Sequence, residues 1–367
     1  MTTFITRLDG HGAGIRLAVK DLIDMEGIPT TAGCKALADR AEPASADAAC
    51  LAGARQAGAR IVGRTNLHEL ALGVTGVNPW FGTPVNPLDA RLVPGGSSSG
   101  SAVAVATGEA DVAYGSDTGG SVRIPSACCG TAGLKTTWGR IPLAGVWPLA
   151  PSLDTIGPMA ADVAGLVRGM ELLEPGFTPA AQRAFRVGRL AVEADPLIDQ
   201  AIDRVLAAAE WEVVPVSVPG WDAATASAGV LLVAEAWEAD SRLVTEAPES
   251  VGTDVLQRLE LGHGIGVEAL AEARKAQSAW KEEIADVLAR VDLLVTPTLT
   301  IFPPPLDEGE DLLMARCTLP VNFAGLPALA LPAPTAGPLP ASVQVIGSSE
   351  EELLAAGSVL EAAAGSL

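Results

Sequence analysis

The chain has 367 residues, 49% hydrophobic and only 4% aromatic, which suits one large α/β domain or two ordinary ones with helices packed on small side chains. Its 24 Lys+Arg against 44 Asp+Glu give a formal net charge of −20, a field that repels phosphate backbones and argues against a nucleic-acid partner. No run of eighteen apolar residues is free of charges and prolines, and the opening Met1-Thr-Thr-Phe-Ile-Thr-Arg7 lacks the apolar region of a signal peptide, so no membrane partner and a cytoplasmic location are expected.

In chain order, Ile15–Ile23 alternates as a strand and is followed by a turn at Met25–Pro29. Successive strand side chains face opposite ways, so Lys20 and Asp21 are expected on different faces; from the strand alone, Lys20 reads as a solvated lysine. A helix is expected over Asp47–Ala57, capped near Ser45 or Asp47, and a strand over Ala59–Gly63. The proline-rich loop Asn78–Pro87 carries Trp80 and Phe81, read either as walls of a substrate pocket or as core anchors. His68 reads as a helix-surface residue.

From Gly95 to Arg123 two glycine-flanked serine clusters, Gly95-Gly-Ser-Ser-Ser-Gly100 and Gly115-Ser-Asp-Thr-Gly-Gly-Ser121, bracket an apolar stretch. That stretch predicts a buried helix over Ala102–Ala106 and a strand over Asp111–Tyr114. Glycines permit sharp turns that present Ser97 and Ser121, and the second cluster can aim several N–H groups at one point. Acyl transfer and phosphate binding both fit that geometry, although no phosphate-loop pattern is present in good form. Further on, strands are expected at Phe185–Val192 and Trp211–Val216, and helices at Leu197–Ala209, Ala223–Glu246 and Val267–Arg290. Strand–helix alternation without repeats predicts one mixed α/β sheet. Cys34, Cys50, Cys128, Cys129 and Cys317 form no C-x-x-C pair and read as small buried hydrophobes; His11, His68 and His263 are scattered, so neither metal nor cofactor is expected.

The serine clusters, with Val19-Lys20-Asp21, Gly63–Gly73, Ser121–Lys135 and Ser152–Pro158, resemble the amidase signature family of Ser-Ser-Lys hydrolases. The likeness is dense over about residues 15–165, thins over about 170–290, and returns in closing motifs over about 291–364, among them Asp292–Thr298, Leu319–Ala328 and Val343–Gly347. It implies a single amidase domain over 1–367 with a central twisted mixed β-sheet covered by α-helices. It further implies Ser121 as nucleophile, Ser97, in a cis peptide, as the bridging serine 24 positions earlier, and Lys20 as general base, with backbone N–H groups of Thr118, Gly119, Gly120 and Ser121 forming the oxyanion hole.

Ser98, Trp80, Phe81 and Arg123 are candidate substrate contacts, Arg123 having the rival reading of a structural partner for Asp117, and Asp154 is expected to cap or cross-link loops. The implied reaction converts a small linear amide to a carboxylic acid and ammonia or an amine. Allophanate-, urea- or carbamate-type substrates, a glutamine-hydrolysing subunit of the amidotransferase A type, and a non-catalytic anion-binding protein are the alternatives. The helices that usually precede the lysine strand in the family are absent, the middle is short, and Gly337-Pro-Leu-Pro-Ala-Ser342 replaces the usual lead-in to the final strand. These departures leave the substrate and the oligomeric state open, a homodimer being one option.

Overall fold

Val112–Asp117, Thr155–Ala160 and Ala341–Ile346 are buried at every position, the pattern of strands covered on both faces. The computed structural model describes residues 2–10, 13–308 and 311–367. Among the described residues eleven strands form one sheet: Phe4–Arg7 (β1), Arg16–Lys20 (β2), Arg60–Thr65 (β3), Val112–Asp117 (β4), Ala132–Lys135 (β5), Thr155–Ala160 (β6), Arg186–Leu190 (β7), Glu212–Val216 (β8), Leu293–Pro297 (β9), Ala328–Ala333 (β10) and Ala341–Ile346 (β11). Their spatial order is β1-β3-β2-β4-β6-β5-β10-β11-β9-β7-β8. Parallel pairing joins β3, β2 and β4 on one side and β9, β7 and β8 on the other, with antiparallel strands between and β1 antiparallel at the edge. This is the expected single α/β domain built on a mixed sheet.

The parallel neighbours β2 and β4 end side by side, with Val19 opposite Tyr114. Carboxyl ends of parallel strands are where open α/β sheets place their ligands, and both serine clusters gather there. Ser99–Ala106 forms a helix whose residues 99 to 105 are all buried; it packs on β4 and β6, and its alanines and serines let it lie close to the sheet. Arg123–Cys129 is a second buried helix, ended by Gly130 in the left-handed conformation.

Several elements differ from the sequence pattern. Asp47 and Ser45 cap no helix: Ala49–Leu51 is a 3₁₀ turn leading into Ala52–Gln56, and Asp47 instead accepts from the Glu26 N–H and pairs with Arg55. β1, β5, β6 and β10 do not show as alternating segments, being short or buried on both faces. A helix at Thr253–His263 also falls outside the pattern reading and becomes part of the site. All five cysteines are free and buried, as expected.

Candidate active site

Lys20 ends β2 with its side chain fully buried, and Nζ donates to Ser97 Oγ at 2.7 Å and to Ser116 Oγ at 2.8 Å. Asp21 points the other way, into an ion pair with Arg64 and a hydrogen bond from Thr31, so the carboxylate adjacent in sequence does not hold the amine charged. Burial pushes Lys20 down from 10.5 to about 7, against the opposing pull of Asp117 and Asp154. The solvated-lysine reading therefore fails. Ser116 is a partner that sequence reasoning missed; it stands two places past Tyr114 on the strand beside β2, a relation that only the parallel pairing creates.

The Gly96–Ser97 peptide bond is cis. The Ser97 carbonyl accepts from His68 N–H at 3.0 Å, and the Ser98 N–H donates to the Ser121 carbonyl at 3.1 Å, tying the two serine clusters together through the backbone. Ser98 Oγ turns to the Ser116 carbonyl at 3.2 Å, which places it against β4.

Asp117 shapes the turn that carries Ser121. Its carboxylate accepts from the N–H groups of Gly120 at 2.8 Å and Val122 at 3.1 Å, and from Arg123 Nε and Nη2 at 3.0 and 2.9 Å. Burial raises the Asp117 pKa, but the Arg123 guanidinium outweighs it and holds the carboxyl well below the usual range. Arg123, itself fully buried, also donates to Gln344 Oε1 at 2.6 Å and Asn322 Oδ1 at 2.5 Å. Its guanidinium is thus occupied within the fold, and the structural reading replaces the substrate contact. The Gly120 N–H, expected in the oxyanion hole, is likewise given to Asp117. Gly120 has φ +129°, and a Cβ there would overlap Thr318 Oγ1, so the turn requires glycine. Asp154 cross-links loops as expected, accepting from Thr118 Oγ1 at 2.6 Å and from the N–H groups of Leu149 and Ala150.

Ser121, Thr118 and Gly119 line a cavity of about 460 Å³ together with the Ala71–Val74 segment, helices Trp221–Glu246 and Thr253–His263, and Leu149, Ala315 and Leu319. Trp80 is elsewhere: its indole N–H donates to Glu69 Oε1 at 2.9 Å, and it borders a separate cavity of about 510 Å³ with Pro248 and Asp254. Phe81 lines neither cavity, and its N–H donates to Asn78 Oδ1. His68 is buried, with Nε2 3.0 Å from Asp254 Oδ2 and Nδ1 3.3 Å from Thr75 Oγ1, which corrects the surface reading. His11 lies outside the described residues. Among the described residues no cluster of His, Cys, Asp or Glu is arranged to hold a metal, and no helix is long and apolar enough to cross a membrane.

A fully buried amine pushed toward neutrality thus lies hydrogen-bonded to a serine beside a cis Gly–Ser bond. The family description "Amidase" matches residues 6–175 and 180–354. The chain belongs to the amidase family. It is 34% identical to the A subunit of the glutamyl-tRNA(Gln) amidotransferase of Halobacterium salinarum, with 98% of each chain covered. Among solved structures, an amidase superposes with a TM-score of 0.89 at 33% identity, covering 95% of this chain and 84% of that one. An allophanate hydrolase from Kluyveromyces lactis gives a TM-score of 0.88 at 25% identity, covering 95% of this chain and 62% of the other.

Proposed function

We propose that this amidase hydrolyses the C–N bond of a small linear amide through an acyl-enzyme on Ser121. The observation that carries the reading is the buried Lys20 amine, pushed to about 7 and 2.7 Å from Ser97 Oγ. A serine hydroxyl attacks a carbonyl only if its proton is removed as the bond forms. Neutral Lys20 has a lone pair for the Ser97 proton, and Ser97 takes the proton of Ser121 as Ser121 Oγ adds to the amide carbon. The oxyanion is met by the N–H groups of Thr118, Gly119 and Ser121, each such donor being worth on the order of 10²–10³ in rate. The proton returns through Ser97 to the leaving nitrogen, releasing ammonia or an amine, and water cleaves the ester by the same relay.

A second reading is a glutamine-hydrolysing A-type subunit, favoured by the 34% identity to the Halobacterium salinarum protein. The two are separated by ammonia release from a panel of aliphatic amides, allophanate and L-glutamine with the isolated chain. Turnover of aliphatic amides that Ser121→Ala abolishes supports the hydrolase; no turnover of any member by the isolated chain refutes it, and ammonia from glutamine only when partner subunits are present supports the amidotransferase reading. The remaining expectations, a small-molecule partner without nucleic acid and a cytoplasmic location, accompany the first reading.

A further inference from the structure

Helix Trp221–Glu246 runs for 26 residues, and Gly229 sits well inside it, where glycine is the least favourable residue short of proline. The same helix uses alanine freely at Ala223, Ala224, Ala226, Ala228, Ala234 and Ala236. A Cβ built on Gly229 meets no heavy atom within 4 Å. Packing within the protein therefore does not call for glycine. Gly262 makes the contrast: a Cβ there would overlap the Val233 carbonyl, so that glycine is what lets helix Thr253–His263 lie against helix Trp221–Glu246.

The space beside Gly229 is the cavity that Ser121 lines. Three and four positions on, Leu232 and Val233 share its helix face and line the cavity too, opposite Leu72, Leu149 and Leu319. Among the described lining residues Arg258 is the one charged side chain, with Nη1 donating to the Leu72 carbonyl at 3.0 Å, and none of these described residues is a carboxylate. The ammonium of an amino-acid substrate would meet aliphatic walls and lose its hydration without an acidic partner. At about 460 Å³ the cavity falls in the range that encloses a small organic ligand, and it is much larger than an acetyl or carbamoyl group needs.

We infer that the amide cleaved by this enzyme carries an extended apolar acyl chain, and that the missing side chain of Gly229 sets the length of chain the cavity accepts. The inference rests on the hydrolase reading above and adds the substrate class and a specificity-determining position. Each methylene that enters the cavity leaves water, so kcat/KM rises by roughly four-fold per methylene along a series of n-alkyl amides until the space is full.

The test compares propionamide, hexanamide, decanamide and L-glutamine with wild type, Gly229→Ala and Gly229→Leu. The kcat/KM ratio of decanamide to propionamide is expected to be well above one in wild type. It should fall roughly 10- to 200-fold in Gly229→Leu, with Gly229→Ala in between and melting no lower than wild type. Binding of decanamide to Ser121→Ala protein, measured by calorimetry with and without Gly229→Leu, reads the cavity without turnover; the second substitution should weaken it at least about ten-fold. An unchanged ratio in an active enzyme, equal binding to both proteins, or a preference for glutamine over hexanamide overturns the inference. Loss of decanamide binding in a chain whose wild type turns over none of the amides leaves the cavity assignment standing and refutes the hydrolase reading alone.

Discussion

Replacing Lys20 by methionine keeps the length of the side chain and removes its titration. With the amine pushed from 10.5 to about 7, about half of the folded molecules carry neutral Lys20 at pH 7, against roughly one in 3,000 for a lysine left at 10.5. In wild type kcat/KM should therefore climb as pH rises through about 7 and level off above it; in Lys20→Met it should fall by about 10²–10⁴ and lose that limb. The same displacement has a stability signature. Between about pH 7 and 10.5 the unfolded chain holds a proton on Lys20 that the folded chain does not. Wild-type stability is then greatest above 10.5, declines as pH falls toward about 7, and has no further slope from this group below that, a total of roughly 5 kcal/mol.

Lys135 is also fully buried and pushed to about 7, but both proteins retain it, so the difference between them isolates Lys20. Leaving the Ser97 and Ser116 hydroxyls without the amine costs the variant about 1–3 kcal/mol for each that stays unpaired, with no pH dependence. The slope of the difference, not its sign, is the readout. Urea-unfolding midpoints of the pair from pH 7 to 10, alongside the pH–rate profile, give both numbers. A difference that stays flat over that range, together with a rate limb near 10, would refute the neutral-lysine reasoning.

Two other outcomes follow from neighbouring groups. Ser116→Ala removes one of the two hydroxyls that receive Lys20 Nζ, so steady-state kinetics should show kcat down by about ten-fold with KM little changed, a deficit that Ser116→Thr restores. Asp240 accepts from the Trp147 indole N–H at 3.0 Å, yet burial raises its carboxyl to about 7. Its contribution to stability is full below about 3.8 and lost as pH rises through about 7, so Asp240→Asn should gain on wild type by up to roughly 4 kcal/mol at pH 8 and show no such gain at pH 3.5, measured by chemical unfolding.

The site was legible wherever chemistry is written locally. Gly-Gly-Ser turns, a strand through Lys20, and the opposite facing of Lys20 and Asp21 all follow from rules about neighbours in sequence, although the strand stops at Lys20 and not at the expected Ile23. Ser116 was not legible, because its meeting with Lys20, 96 positions away in sequence, depends on β4 lying parallel beside β2. Arg123 was legible as a structural residue only through Asp117; its bonds to Asn322 and Gln344 join segments about 200 residues apart. Trp80 misled for a physical reason. An aromatic in a proline-rich loop suits a pocket wall, but the indole N–H found the buried Glu69 carboxylate, and part of the wall facing Ser121 came instead from helices of the least recognisable part of the chain. The strands missed were short, as β1 is, or buried on both faces, which leaves no alternation to read.

The most direct test of the Lys20–Ser97–Ser121 relay is covalent capture with an alkyl fluorophosphonate, followed by peptide mass mapping of wild type, Ser97→Ala and Lys20→Met. The account predicts a single adduct on Ser121 in wild type, formed with a pH dependence that rises through about 7, and labelling slowed by about 10²-fold or more in both variants. An adduct on Ser97 or Ser116, or labelling of Ser121 at wild-type rate without the lysine, would contradict it.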